Sequence, residues 1–588
     1  MPEKLLLQAR NLTKSFGEKI ILNSTSVSIV EKQKIGVIGR NGAGKTTFFK
    51  MLTGDLDPDN GDILKMPDLR LGYIPQHDPF LPGETVIKFL ERYTEKPRWE
   101  CAKVASKFQL KNERLTSFIT DLSGGYQMRV KLTATLLAEP NLLLLDEPTN
   151  YLDLSTLILL EKFLLGFKGA FMVITHDREF LKKTCTSTLD VDRGQLFLHP
   201  EPLEEYLDFK EEQKALAASV NVNIERKQKQ LQTFVDRFGA KASMAKSAQS
   251  KAKLIQKMDS KKIQINHAFS SVKMYIPLVE SKQGNALECK NLEIGYPRKV
   301  VATGINFDVE RGKKVAILGD NGQGKSTLLK TISGMLDPID GTVIWKSGLK
   351  IAYYAQHVNL ALNPKDNIEQ YARGVASKEV KDVEINRVLG NFLFKKTDYT
   401  KQIEVLSGGE KARLCLAGMF LTKSDVYLLD EPTNHLDFET VEAMGQALGE
   451  FNGTVFVVSH NRTFVNLIAT EIIEVKNGGV KRILGSYEDY VWQLEQQADQ
   501  YDKNSQLQPS QNNSSIITSE GILPQKVLDK ESRKKLYELN KELGKIEKKM
   551  VNLTSLIDSG IDLEKNQSIL ANQEILWLET QGEIDKLE

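Results

Sequence analysis

The sequence predicts an α/β protein: two tandem copies of one domain, joined by a long helical linker and followed by a C-terminal α-helical coiled-coil hairpin. Three observations predict it. First, the 588-residue chain repeats itself. Lys45 with Lys325 and Gln76 with Gln356 lie 280 residues apart, while Ser123 with Ser407, Glu147 with Glu431, His176 with His460 and Tyr206 with Tyr490 lie 284 apart. That period is too long for a solenoid and marks a duplicated domain. Second, each copy alternates short apolar strands with helix-like stretches, the pattern of a largely parallel sheet. Third, the stretches between and after the copies are charged, with apolar residues three or four apart, which is helical spacing. The boundaries read as 1–207 and 285–497 for the two domains, 208–284 for the linker, 498–526 for a flexible tether and 527–588 for the hairpin.

Composition narrows the function classes. Apolar residues are 41% and charged residues 27% of the chain, the balance of folded domains. Formal net charge is only +2, so the chain as a whole is no general polyanion binder, and the location of charge matters more than its sum. Cys101, Cys185, Cys289 and Cys415 are far apart and form no metal-binding spacing, as expected of buried thiols in a reducing compartment. The N-terminus lacks the apolar core of a signal peptide. No apolar run approaches the ~18 residues that a spanning helix needs. The expectation is a cytoplasmic protein without a membrane segment.

In each copy a strand, Ile35–Ile38 or Val315–Leu318, runs through a glycine loop into a helix, Thr47–Leu52 or Thr327–Ile332. The first loop is Gly39, Arg40, Asn41, Gly42, Ala43, Gly44, Lys45, Thr46 and then Thr47. The second is Gly319, Asp320, Asn321, Gly322, Gln323, Gly324, Lys325, Ser326 and then Thr327. Both fit the phosphate-loop pattern in the strand–loop–helix context it requires. Glycines let successive amides turn toward phosphates, and the helix N-terminus adds its positive end. Lys45 and Lys325 are expected on the β- and γ-phosphates, and the Thr46 and Ser326 hydroxyls on Mg²⁺. Further on, the apolar strands Asn141–Leu145 and Val426–Leu429 end in Asp146-Glu147 and Asp430-Glu431. Here the Asp suits Mg²⁺ and the Glu can orient or deprotonate a water, which makes ATP hydrolysis plausible. A third apolar strand follows in each copy, Phe171–Thr175 and Thr454–Ser459.

The chain resembles an ATP-binding-cassette protein with two cassettes in one polypeptide, that is, two tandem P-loop ABC ATPase domains. Leu122 to Gly125 and Leu406 to Gly409 both read Leu-Ser-Gly-Gly and match the family signature. Gln76 and Gln356 match its Q-loop, Asp153 and Asp437 its D-loop, and His176 and His460 its switch histidine. The resemblance implies that the cassettes pack head to tail around two ATP molecules. One site would pair Gly39–Thr46 with Ser407, Gly408 and Gly409, and the other Gly319–Ser326 with Ser123, Gly124 and Gly125. It implies that Gln76 and Gln356 join the Mg²⁺ sites and the catalytic set with Glu147, Glu431, His176 and His460, and that Phe16 and Tyr296 stack on adenine. A Ser-Gly-Gly turn opening a helix is itself a plausible anion site. Two residues depart from the pattern: Tyr126 stands where Gln or Glu is common, and Tyr151 replaces the His seen at His435. Both sites are expected to hydrolyse ATP, and the departures leave room for asymmetry between them.

The linker holds the charge. Arg226–Lys262 carries eleven Lys/Arg against Asp236 and Asp259, with a stripe at Leu231, Phe234, Phe238, Ala242, Ala245, Ala252, Ile255 and Met258. It follows a helical stretch, Glu204–Lys229, and breaks near Gly239. A helix so basic favours phosphate backbones through a salt-dependent term without sequence information. A solvated helical spacer is the alternative. Glu-Pro-Thr-Asn at Glu147–Asn150 and Glu431–Asn434, a charged two-helix linker and no membrane segment resemble the ABC-F family. Phe238–Ser250 is similar to the linker of its YheS-like members, and no long insertion separates Gln76 from Ser123. The family implies a monomer whose paired cassettes bind the ribosome and whose linker reaches tRNA or rRNA.

Ala498–Gln525, rich in Gln, Asn and Ser with Pro509 and Pro524, reads as a tether. Leu536, Leu539, Leu543, Ile546, Met550, Leu553 and Ile557 then form a heptad seam up to Asp558-Ser-Gly560. A second helix carries Ile569, Leu570, Leu576, Trp577, Ile584 and Leu587, so a helical hairpin is expected, with homodimerisation through the seam as the competing reading. C-terminal coiled coils occur in the Uup and YheS types of the resembled family. Two other functions stay open at this point: a DNA-handling ATPase acting through this hairpin, and the ATPase subunit of a transporter with separate membrane subunits.

Overall fold

The computed structural model describes the chain except residues 1–3, 41, 76–77, 109, 111, 151, 239–249, 251–252, 256–257, 259–273, 280–282, 298, 356–361, 435, 437, 507–529, 559–562 and 588. Each cassette has two sheets. In the first, β1 (Leu5–Phe16), β2 (Lys19–Val30) and β4 (Asn60–Lys65) form an antiparallel sheet in the order β2-β1-β4. The remaining strands are β3 (Lys34–Ile38), β5 (Leu71–Ile74), β6 (Leu142–Asp146), β7 (Ala170–Ile174), β8 (Ser187–Asp192) and β9 (Gln195–His199). They run β5-β6-β7-β3-β8-β9, parallel except for the β8–β9 hairpin.

The second cassette repeats this plan. Its antiparallel sheet is β11-β10-β13, built from β10 (Asn285–Tyr296), β11 (Lys299–Glu310) and β13 (Asp340–Trp345). Its main sheet runs β14-β15-β16-β12-β17-β18, from β12 (Lys314–Leu318), β14 (Ile351–Tyr354), β15 (Val426–Asp430), β16 (Thr454–Val458), β17 (Glu471–Lys476) and β18 (Gly479–Ile483).

The unbroken Leu run of β6 has a simple cause: both faces of the sheet are covered. Leu142 and Leu144 pack with the antiparallel sheet and the helix Lys45–Thr53, while Leu143 and Leu145 pack into the helical side. In β15, Val426 and Leu428 divide from Tyr427 and Leu429 in the same way. The C-terminal ends of β3 and β6, or β12 and β15, lie on the same edge of their parallel sheet with one strand between them, where an open α/β sheet presents its ligand site.

The linker begins in the helix Leu203–Phe238. Its first turns are anchored: Leu203 and Tyr206 are buried, and the Tyr206 hydroxyl donates to Asp190 Oδ2 at 2.6 Å. Gln228 Nε2 donates to the Ile255 carbonyl at 3.3 Å, so the returning segment lies beside the outgoing helix. The tip, Phe238–Ser250, lies largely outside the described residues. The chain re-enters the second cassette with Ile276 buried and the Val279 amide donating to Asn452 Oδ1 at 3.0 Å.

The tail differs from its sequence reading in two ways. The helix Tyr487–Gln506 runs into the stretch expected to be tether, because polar residues such as Gln, Asp and Lys continue a helix whose first turns are packed. There Lys183 of the first cassette meets Glu495 at 2.7 Å. The helices Lys530–Asp558 and Leu563–Leu587 pack together as a hairpin. Its seam is not closed on itself: Ile546 and Met550 are buried in the helical part of the first cassette.

Candidate functional site

The two glycine loops are built alike. Gly39 and Gly319 have φ of 142° and 141°, and Gly44 and Gly324, which precede the helices, have φ of 108° and 107°. Left-handed backbone at these points favours glycine. A Cβ on Gly39 would lie 2.5 Å from the Val191 carbonyl oxygen. Lys45 Nζ donates to the carbonyls of Gly39 and Arg40 at 2.6 and 3.1 Å; Lys325 donates to those of Gly319 and Asp320 at 2.8 and 3.1 Å. Each lysine is thus folded back over its own loop, where phosphate oxygens would replace the carbonyls.

Beside each lysine a hydroxyl meets a carboxylate. Thr46 Oγ1 donates to Asp146 Oδ1 at 3.2 Å and Ser326 Oγ to Asp430 Oδ1 at 3.0 Å. Burial pushes Asp146 up to about 6 and raises Asp430 as well. Asp146 Oδ2 is buried and has no hydrogen-bond partner among the described residues. A buried carboxylate oxygen without a donor fits a cation or its water. One hydroxyl and one carboxylate are too few to hold Mg²⁺ alone, so these residues fit an ion that arrives with nucleotide phosphates.

Glu147 and Glu431 follow these aspartates with φ of 50° and 51°, left-handed backbone that is uncommon for a residue with a Cβ. The turn is held by amide bonds from Glu147 to Ile174 O and from Glu431 to Val458 O, both 2.9 Å. Strain of this kind clusters at functional sites. His176 Nε2 lies 3.8 Å from Glu147 Oε1, and His460 Nε2 3.5 Å from Glu431 Oε1. The second site is the tighter. Burial pushes Glu431 up to about 8 against the pull of Lys325, and burial together with Lys325 holds His460 well below the usual imidazole range. His460 Nε2 also lies 3.1 Å from Asn321 Oδ1, a geometry in which a neutral ring donates.

The cassettes meet here. Ser155 Oγ donates to Asp320 Oδ1 at 2.7 Å, and the Asn321 amide to Asp153 Oδ2 at 3.2 Å. A Cβ on Gly125 would lie 3.4 Å from that same Asp153 Oδ2, which brings the first Ser-Gly-Gly turn to the second glycine loop. Ser123 and Ser407 each stand at the N-terminus of the helix their turn opens, and Ser407 also caps it with its side chain. On the other side, Gly39, Arg40 and His176 share a small cavity with Phe438 and Glu439 of the second cassette. Phe16 and Tyr296, at the ends of β1 and β10, are 53% and 45% exposed and open to a stacking partner. Asn41, Gln76, Gln356 and Asp437 lie outside the described residues, as do Tyr151 and His435.

Sequence reasoning missed the ion pairs across the interface. Arg178 reaches Glu442 of the second cassette at 2.6 Å and also grips Glu204, at the start of the linker helix. Its counterpart Arg462 pairs with Glu161 of the first cassette at 3.0 Å, with both side chains about 5% exposed or less. The signal was present: both arginines stand two residues after a switch histidine, 284 apart.

Comparison with known proteins agrees with this geometry. A protein-family model described as ABC transporter matches residues 22–150 and 302–434, and a second one so described matches 189–273, which spans the linker. YdiF of Bacillus subtilis, an ATP-binding protein by name, is 33% identical over 554 residues, covering 85% of each chain. The ATP-binding protein Uup of Buchnera aphidicola is 32% identical, over 82% of this chain and 83% of its own. ABC transporter F family member 5 of Arabidopsis thaliana is 29% identical, over 82% and 77%. The chain belongs to the ABC-F family. Its cassettes are ATPase domains. The ABC-F fold is also that of archaeal ABCE1, crystallised with the ribosomal stalk protein aP1, at TM-score 0.60 and 20% identity over 82% of this chain and 92% of that one. A structure of RNase-L Inhibitor gives the same TM-score at 19% identity, over 82% and 93%. Among the described residues no helix is long and apolar enough to cross a membrane. As expected, the four cysteines are buried and form no disulfide; burial pushes Cys185 and Cys289 up to about 12, which leaves them inert.

Proposed function

We propose that this ABC-F protein is a translation factor. Its cassettes close on two ATP molecules, the closed form binds the ribosome, Arg226–Lys262 contacts tRNA or rRNA, and hydrolysis releases it. In this reading Lys45 and Lys325, with the amides of Gly39–Gly44 and Gly319–Gly324, hold the phosphates. Thr46, Asp146, Ser326 and Asp430, with Gln76 and Gln356, hold Mg²⁺, which neutralises phosphate charge. Glu147 and Glu431 orient and deprotonate the attacking water, and His176 and His460 hold that glutamate and the loop beside it in register. Phe16 and Tyr296 stack on adenine. Ser123–Gly125 and Ser407–Gly409 close over the opposite nucleotide, aligned by Asp153 and Asp437.

The observation that carries the reading is Arg178. Two residues from the switch histidine, it grips the base of the linker helix through Glu204 and the second cassette through Glu442. A change in nucleotide state at the first site is thereby tied to the placement of the basic linker. ABCE1 is named a ribosome recycling factor, and that likeness carries the fold alone.

The test is co-sedimentation with ribosomes of the chain carrying Glu147→Gln and Glu431→Gln, which should bind ATP, stay closed and accumulate on ribosomes. Neutralising the Arg226–Lys262 charges should weaken that binding and flatten its salt dependence. Recovery no better than an ATP-free control refutes the reading. Binding of branched DNA that needs residues 530–588, or capture of an integral membrane partner, would then favour the alternatives.

A further inference from the structure

The two signature turns are supported differently. In the second cassette Ser407 is locked by a capping box: its hydroxyl accepts from the Glu410 amide at 3.4 Å, and its own amide donates to Glu410 Oε2 at 2.9 Å. The first cassette has Tyr126 at the corresponding position, and Ser123 receives no side-chain cap bond. Tyr126 instead turns into the protein. Its ring lies between the guanidinium groups of Arg114 and Arg129, at 4.7 and 4.9 Å, and packs on an apolar cluster.

That cluster includes the C-terminal hairpin. Ile546 is 4% exposed and Met550 0%, in one apolar cluster with Trp99, Leu122 and Val130, and Lys103 pairs with Glu547 at 2.8 Å. Leu122 immediately precedes the Ser-Gly-Gly turn, and Val130 belongs to the helix that the turn opens, Gly124–Leu137. From that helix the contacts continue without a gap to the other cassette. Buried Arg129 donates to Thr156 Oγ1 at 3.0 Å, and the Thr156 amide to Asp153 Oδ1 at 2.9 Å. Asp153 Oδ2 accepts from the Asn321 amide at 3.2 Å. The hairpin has no corresponding contact with the helix Gly408–Leu421 among the described residues.

We infer that the C-terminal hairpin, acting through Tyr126, is a positioning element for one ATP site only. It braces the turn Ser123–Gly125 against the loop Gly319–Ser326, taking the part that the Ser407–Glu410 capping box takes at the other turn. The inference rests on the reading that each Ser-Gly-Gly turn closes over the nucleotide of the opposite cassette. Removing the brace lowers the fraction of molecules with a closed Lys325 site, which weakens apparent ATP affinity there by that fraction. The chemical step in molecules that do close is unchanged.

The experiment measures each site alone in the full chain. Glu147→Gln leaves hydrolysis to Glu431, and Glu431→Gln leaves it to Glu147. Into each background go Ile546→Asp with Met550→Asp, or Tyr126→Ala, with Met550→Leu as the conservative control. Hydrogen exchange over residues 86–115 reports undocking of the hairpin. The expected result is a three- to tenfold rise in KM for ATP at the Glu431 site, with kcat within twofold, and a change below twofold in either parameter at the Glu147 site. Met550→Leu should behave as the parent. Tyr126→Ala should add no further rise once the hairpin is undocked, because the two act as one unit. Equal shifts at both sites, a fall in kcat at constant KM, or no shift with or without undocking would overturn the inference. If neither parent background hydrolyses ATP, the two-site reading falls and takes this inference with it; if both do, a failure belongs to the inference alone.

Discussion

Replacing Arg462 with Met cuts the tie between the helix Arg462–Ile468, which follows the second switch histidine, and the first cassette. Arg462 and Glu161 are 4% and 5% exposed, their closest atoms are 3.0 Å apart, and they belong to different cassettes, so the pair exists only while the cassettes are together. Removing one partner of a buried pair leaves an uncompensated charge, which typically costs about 3–5 kcal/mol. Lys183 Nζ lies 3.8 Å from Glu161 Oε2 and takes up part of the load, so the lower end, about 3 kcal/mol, applies. If that sum weighs on closure, apparent ATP affinity falls about a hundredfold. A fluorescent nucleotide titration of Arg462→Met against the parent measures it, and Glu161→Met in the same chain supplies the control. With both partners apolar no charge is left buried, and affinity should return to within about tenfold of the parent. An Arg462→Met chain that binds ATP within twofold of the parent, or a double variant no better than the single, would refute the reasoning.

Glu161 also predicts a pH dependence of closure. Burial pushes it up to about 7 in the paired cassettes, and separation would return it to the ordinary carboxylate range near 4.5. The closed form therefore holds a proton that the open form loses, and closure should weaken as pH rises from about 5 to 7 and level off above, as read by the same titration. Gly39→Ala should weaken nucleotide binding at the first site by more than tenfold while the chain stays folded by circular dichroism, because the new methyl meets the Val191 carbonyl in a left-handed backbone. Tyr206→Phe leaves Asp190 without its 2.6 Å hydroxyl donor at the root of the linker and should lower stability in urea by about 1 kcal/mol, since Lys210 still pairs with that carboxylate.

Legibility in the sequence followed locality. The glycine loops, the Asp-Glu pairs and the switch histidines could be read because phosphate chemistry needs adjacent residues at fixed spacing, and the repeat, at 280 residues for the loops and 284 for the rest, confirmed each by its twin. The strain at Glu147 and Glu431 was not readable, since a positive φ there depends on amide bonds to Ile174 and Val458 on the neighbouring strand. The hairpin was readable as a hairpin, but the seam showed only that an apolar stripe exists. That Ile546 and Met550 meet the first cassette is a property of where the chain returns, which no periodicity encodes.

The repeat itself misled in one respect, because equivalent positions carry different duties. Asp177 is matched by Asn461, Glu161 by Gly445, and Tyr126 by Glu410. Each exchange removes a charge or a cap from one copy, and Glu161 alone of the three forms an ion pair across the interface among the described residues. Two identical cassettes would build two equal interface clusters. This chain instead concentrates the buried ion pair between Arg462 and Glu161 and spends the matching Arg178 on Glu204 and Glu442, where the linker begins. A duplicated ATPase whose two halves had no separate tasks would have no reason to divide its arginines in this way. The asymmetry therefore puts the tie to the linker at the helix Arg178–Thr184 and the buried tie between the cassettes at the helix Arg462–Ile468.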